Sequence, residues 1–200
     1  MSSNPFLEAS RRRRTQYSLG RSLPIPQQAT IELIQEAVRL SPSSFNSQSA
    51  RGVILFGDQS VAFWGIVKDA LRAIVPADAF AATDAKIDSF AAGAGTVLFY
   101  EDQDVIRSLQ DQFPLYADNF PVWSEHSSAI AQFSVWTALA NAGIGASLQH
   151  YNPLPDAAVA ARWSLPASWK LRAQMPFGSN EAPFGDKDFI DDAVRFRVHG

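Results

Sequence analysis

The chain has no cysteine. That absence excludes a disulfide framework and a thiolate nucleophile, and leaves only histidine and carboxylate side chains as metal ligands. Histidine is scarce too, with three in 200 residues and none in an H-x-x-x-H spacing, so no dedicated metal site is expected. No apolar run approaches the roughly 18 residues that a bilayer-spanning helix needs. The opening "MSSNPFLEAS" lacks the charged-then-apolar order of a secretory signal, which makes a cytoplasmic protein without a membrane anchor the expectation. No G-x-G-x-x-G follows an apolar run and no G-x-x-x-x-G-K occurs, which removes the Rossmann fingerprint and the P-loop. A net charge of −3 argues against a nucleic-acid protein.

What is there suits one domain over residues 1–200. Hydrophobic residues make up 46% of the chain, and a chain this long buries a full core without staples. "NPFLEASRRRR" reads as a short helix with a basic end, followed by the proline-punctuated loop "LPIPQQ". Thr30 is the expected N-cap of "IELIQEAVRL", where Ile31, Ile34 and Val38 with Leu33 and Ala37 form one apolar face. That helix must stop before Pro42. "GVILF" (52–56) lacks alternation and predicts a strand buried on both faces, as does "TVLFYE" (96–101). Between them, residues 60–75 and 80–94 have helical period. Residues 104–123 mix helix with an aromatic loop, and Ser124 is the expected cap of a long helix ended by Gly143. "GASLQHY" predicts a third strand or extended turn, "PDAAVAARWSL" a helix, "SWKLRAQMPFG" a fourth strand, and 186–200 a tail that leaves the body. Few, short strands separated by helices point to an α+β layer structure.

Two polar segments could carry chemistry. "RRRRTQY" (11–17) is either a solvated cationic helix end, a nucleic-acid arm, or a phosphate site in which guanidinium groups bind bidentately beside the Thr15 hydroxyl. "SPSSFNSQ" (41–48) is richer in hydroxyls and amides than a helix-to-strand connection requires. It is either a capped turn or a second set of donors and acceptors, from Ser43, Ser44, Asn46 and Gln48.

Together with "GIGASLQHYNP" (143–153) and "MPFG" (175–178), the motifs "RRT" (13–15) and "SPSSFNSQ" occur in an order that resembles the FMN-dependent nitroreductase family. The match is to its short type III, fatty-acid-repression-mutant-like branch, over nearly the whole chain. The resemblance implies a homodimer of α+β subunits around a mainly antiparallel sheet, with FMN at the subunit interface. It implies that Arg13, Arg14 and Thr15 hold the FMN phosphate and one flavin edge, and that Pro42, Ser43, Ser44, Asn46 and Gln48 reach the flavin from the other subunit. Leu148, Gln149 and His150 would lie beside the isoalloxazine, with a main-chain N–H toward N5. Lys187, or Arg195 in its place, would meet the phosphate. Many relatives carry Arg or Lys two places after the Ser/Thr, where this chain has Tyr17; Arg51 is a candidate replacement or a strand-flanking charge.

The resemblance also implies the activity: hydride passes from NADH or NADPH through flavin N5 to nitroaromatic, quinone or similar acceptors, by a ping-pong route and without a catalytic side chain. His150 is therefore expected to act through its backbone, with His126 a surface or packing residue and His199 in a loose terminus. Phe113, Tyr116, Phe120 and Trp123 are either core filler or a wall over the flavin against which substrates stack. A flavin-binding redox sensor or regulator, for example of lipid metabolism, is the alternative function.

Overall fold

The computed structural model describes residues 4–200. Among the described residues five strands form one sheet: β1 (Leu19–Gly20), β2 (Ala50–Phe56), β3 (Gly95–Asp102), β4 (Gly145–Ala146) and β5 (Trp169–Asn180). Their order is β1–β5–β3–β2, with β4 also paired to β5, and every ladder is antiparallel. The fold class expected from the sequence is the one observed.

Strand alternation divides the core into two layers. Val97 and Phe99 of β3 lie with Ala173, Met175 and Phe177 of β5 on one face, packed with Ile34, Val135, Leu139 and Ile144. These come from α2 (Gln27–Arg39), α6 (Phe120–Asn141) and the turn after it, with α5 (Gln103–Gln112) leading from β3 toward α6. Leu98, Tyr100 and Leu171 point the other way, onto Phe63, Trp64 and Val67 of α3 (Asp58–Arg72), Ile87 and Phe90 of α4 (Phe80–Ala91), and Val159 of α7 (Asp156–Arg162). A bulge interrupts the β3–β5 ladder, because Phe99 opposes Ala173 while Tyr100 opposes Leu171. The extra residue, Arg172, reaches Glu125 on α6 at 2.7 Å.

Three local expectations are corrected. α2 begins at Gln27, not after Thr30, because Pro26 presets the backbone for helix entry. Thr30 is buried inside the helix, and its hydroxyl donates to the Pro26 carbonyl at 3.2 Å. α6 likewise begins at Phe120 with Pro121 in its first turn, so Ser124 lies within the helix and donates to the Pro121 carbonyl at 2.8 Å. Among the described residues β2 is an edge strand paired only to β3; within it only Leu55 is fully buried, and Gly52 is exposed. Its unbroken apolar run reads as a central strand because a local pattern cannot show which neighbour is missing. β3 meets the expectation, buried from Gly95 to Glu101.

Two glycines shape the sheet edge to which the polar segments attach. Gly143 has φ +80° and ends α6 as expected. Gly178 lets β5 and the β1 backbone approach, since a Cβ there would collide with the Gly20 carbonyl oxygen. α1 (Pro5–Arg12) is capped by Asn4, whose Oδ1 accepts from the Phe6 and Leu7 amides at 3.0 and 3.3 Å. It delivers the arginine run to the sheet. Among the described residues no helix is long and apolar enough to cross a membrane.

Candidate functional site

The arginine run leaves α1 at Arg13, the helix C-cap, and turns extended. Thr15 forms a parallel bridge with Ala146 of β4, and the Gln16 amide donates to the Ala146 carbonyl at 2.9 Å. The same carbonyl accepts from the Trp136 indole N–H at 3.2 Å. Trp136 also lies under Arg13, whose guanidinium carbon stands 4.4 Å from the ring centroid. Burial, then the charge of Arg14, lowers the pKa of Arg13 from its ordinary value. Two adjacent, partly desolvated cations are an arrangement that a bound anion relieves.

A cleft of about 530 Å³ opens beside them, lined by Arg13, Arg14, Lys187, Ser10, Leu7 and Phe189 among others. This is within the usual size of small-molecule sites. Arg14 donates to the Gly185 carbonyl, and Gln16 Nε2 to that of Ala182 at 2.7 Å, so the tail that bears Lys187 is tied to the arginine segment. The structure thus brings Arg13, Arg14 and Lys187 together. Arg195 ends α8 (Asp192–Arg195) in the exposed tail and does not line this cleft.

β4 leads into the Leu148–His150 stretch. The amides of Ser147 and Gln149 donate to the Pro176 and Gln174 carbonyls at 3.3 and 2.7 Å, and Gln174 returns a bond to the Gln149 carbonyl at 2.9 Å. The Tyr151 amide donates to Gln174 Oε1 at 2.8 Å. Alternation along this edge turns the Leu148 and His150 amides the other way, and among the described residues neither has an acceptor. The His150 side chain is exposed.

The "PSSFNSQ" loop is held in an uncommon conformation. Phe45, Asn46 and Gln48 have φ of +57°, +50° and +48°, the left-handed region that non-glycine residues rarely occupy. The Ser44 amide donates to Ser127 Oγ at 3.3 Å and the Gln48 amide to Ser43 Oγ at 3.0 Å. Pro42, Ser43, Gln48 and Arg51 line a separate cleft of about 240 Å³ that shares no residue with the arginine cleft. Arg51 is engaged with Asp102 at 3.0 Å and the Gln48 carbonyl at 2.7 Å. Tyr17 is exposed and apart from this loop, its ring 6.4 Å from that of Phe90, which in turn lies 6.3 Å from Tyr151 beside the Leu148–His150 stretch.

Phe113, Tyr116, Phe120 and Trp123 all gather around Phe45, with centroid distances of 5.0, 6.0, 5.2 and 5.9 Å. Phe120 is buried and therefore packing, while Phe113 and Tyr116 keep exposed edges. Phe45 is the hub of this group. Sequence reasoning misses it, along with Gln16, Trp136 and Gln174. The only local signal is an aromatic residue set within a run of turn formers.

Residues 11–179 match the Nitroreductase family. HBN1 of Saccharomyces cerevisiae is 36% identical over 191 residues, covering 94% of this chain and 95% of that protein. Nitroreductase FRM2 of the same yeast is 32% identical over 193 residues, with the same coverage. Nitroreductase CinD of Lactococcus lactis, solved with nicotinic acid, superposes with a TM-score of 0.91 at 55% identity, covering 98% of this chain and all of CinD; CinD has also been solved with 4-nitrophenol. Arginine run, hydroxyl-rich loop and outward amides thus sit on a frame shared along almost its whole length with these proteins, and the chain belongs to the nitroreductase family, in its short, fatty-acid-repression-mutant-like branch.

Proposed function

We propose that this nitroreductase-type oxidoreductase binds FMN and moves hydride from NADH or NADPH to nitroaromatic, quinone or similar acceptors. Members of the family typically bind FMN. The observation that carries the reading is the bridge between Thr15 and Ala146. It ties the segment that bears Arg13 and Arg14 to the edge that presents the Leu148 and His150 amides, so a phosphate grip and main-chain donors would be held on neighbouring segments of one sheet edge.

The donor set fits the cofactor. A phosphate near dianionic charge requires several charge-assisted donors, which Arg13, Arg14 and Lys187 supply from one cleft. Thr15 adds a hydroxyl. Bound FMN would supply hydride exchange at a single ring face, which the donor and acceptor would use in turn. The protein's part is to orient that ring and to place main-chain N–H groups along its edge; Leu148 and His150 are the residues whose amides are turned outward for this. CinD's complexes with a pyridine acid and a nitrophenol support ring-shaped partners of both kinds.

We further infer that a second copy completes the pocket. Ser43 and Gln48, beside Pro42, line a cleft apart from Arg13 and Arg14, as donors reaching a neighbour's ligand would. α6 leaves Val122, Ile130 and Phe133 exposed, and Phe6 of α1 lies 6.4 Å from Phe133, also exposed. An apolar strip of this kind is a surface for association, and dimeric assembly is typical of the family.

The visible absorption spectrum of the purified protein tests the cofactor. A flavin band that bleaches on adding NADH or NADPH and returns with a nitroaromatic acceptor is expected. Protein that stays colourless after incubation with FMN overturns the reading. The backbone role of His150 separates two variants: His150→Ala keeps the amide and most turnover, whereas His150→Pro removes the N–H and lowers turnover at least about tenfold, the worth of one such donor. Equal loss in both, with FMN still bound, would assign the work to the imidazole.

A further inference from the structure

Three left-handed residues in one short loop persist only if their surroundings over-determine them. Two of the restraints are the bonds from the Ser44 amide to Ser127 and from the Gln48 amide to Ser43. A third runs into the core. Ser49, the residue that joins the loop to β2, is buried, and its hydroxyl donates to Glu101 Oε2 at 2.5 Å. Its carbonyl accepts from the Asp102 amide at 2.9 Å, and its hydroxyl lies 3.4 Å from that of Ser47 inside the loop. Glu101 itself has no exposed surface, and Oε1 has no partner among the described residues. A buried carboxyl with half its capacity unused is an expensive way to hold one serine, and an apolar residue would serve the β3 core better.

We propose that Glu101 is a positioning residue: through Ser49 it locks the Pro42–Gln48 loop in its left-handed shape, and so sets how that loop meets the flavin. The proposal rests on the reading of this loop as a flavin contact. Three of the elements packed around the carboxyl bring a charge toward it. Arg51 of β2 and Arg172 of β5 favour its ionisation and Glu125 of α6 opposes it; Lys170 is its register partner on β5, and adjacent Asp102 is held by Arg51. Burial dominates and pushes Glu101 up to about 7, against the smaller opposing pull of the Ser49 bond. The ionised form accepts the stronger bond from Ser49. The lock therefore tightens as pH rises through neutrality.

The test is amide exchange, as protection factors across a pH range centred on about 7, in the protein as purified. Protection of the Ser44 and Gln48 amides should fall about tenfold in Glu101→Leu and in Ser49→Ala, one charge-assisted bond's worth. The amides of the β2–β3 ladder should keep theirs. In the wild type, loop protection should rise with pH around neutrality, and Glu101→Gln should hold the loop without that dependence. FMN affinity, expressed as the ratio of each variant to wild type to cancel the titration of the phosphate, should follow the loop. Unchanged loop amides in Glu101→Leu, or loss spread equally over the ladder, overturns the proposal. A protein that takes up no FMN at all defeats the reading of the site, and the exchange data still decide the role of Glu101.

Discussion

Alanine at position 13 is expected to weaken FMN binding by about a hundredfold. A guanidinium offers two parallel N–H donors to a phosphate, and charge-assisted bonds of this kind are worth about 1.5–3 kcal/mol each. At about 1.4 kcal/mol per factor of ten, loss of the pair, partly offset by solvent, gives that figure. Arg13 is the better of the two arginines for the role, because its guanidinium packs on the Trp136 ring, whereas that of Arg14 is already engaged by the Gly185 carbonyl. Arg13→Lys keeps the charge but loses the fork, so an intermediate affinity is expected. Lys187→Ala should cost less, about tenfold, since an ammonium on an exposed tail is screened by solvent. Fluorescence titration of flavin-stripped protein reads all three. Wild-type affinity in both Arg13→Ala and Lys187→Ala would show that the phosphate is held elsewhere.

Methionine at position 174 should lower stability by on the order of 3 kcal/mol, since it strands two polar partners. Gln174 has no exposed surface. Its Oε1 accepts the Tyr151 amide at 2.8 Å and its Nε2 donates to Asn152 Oδ1 at 3.1 Å. For a chain of this length that loss corresponds to a melting temperature about 6–12 °C lower. The outward amides should be misplaced as well, so the remaining folded protein should bind flavin with an altered visible spectrum. Gln174→Glu adds a check by sign. A carboxyl in that buried place has its pKa raised by desolvation, so folding binds a proton. The variant should be most stable below the unfolded value of about 4.3 and lose stability as pH rises through the folded one. A melting temperature for Gln174→Met equal to wild type would mean the backbone ladder alone holds the segment.

The family's motifs are legible because they are runs of chemically distinctive side chains at short spacing. "RRT" and "LQHYNP" announce donors without reference to anything distant. The sheet's position in the chain is legible too, from apolar runs between helical periods. What escapes a reading of the sequence depends on partners far away along it. Gln174 matters through Tyr151 and Asn152 on the segment after β4, and Glu101 through Ser49 at the entrance to β2; in the sequence neither polar residue shows which distant partner it holds. Phe45 gives no warning of a positive φ, since the usual markers of that region are glycine and asparagine. Thr30 and Ser124 mislead for the opposite reason: both carry the right cap chemistry, but the prolines at 26 and 121 start their helices earlier.

The contacts from Arg14 to the Gly185 carbonyl and from Gln16 to that of Ala182 join segments separated by 171 and 166 positions. Drawing such distant stretches together has an entropic cost that grows slowly with the length of chain between them, so this corner is expected to assemble after the local helices and the β2–β3 pair. The arginine segment is then expected to be the final part of the fold to close, and an anion bound there would meet a scaffold already built.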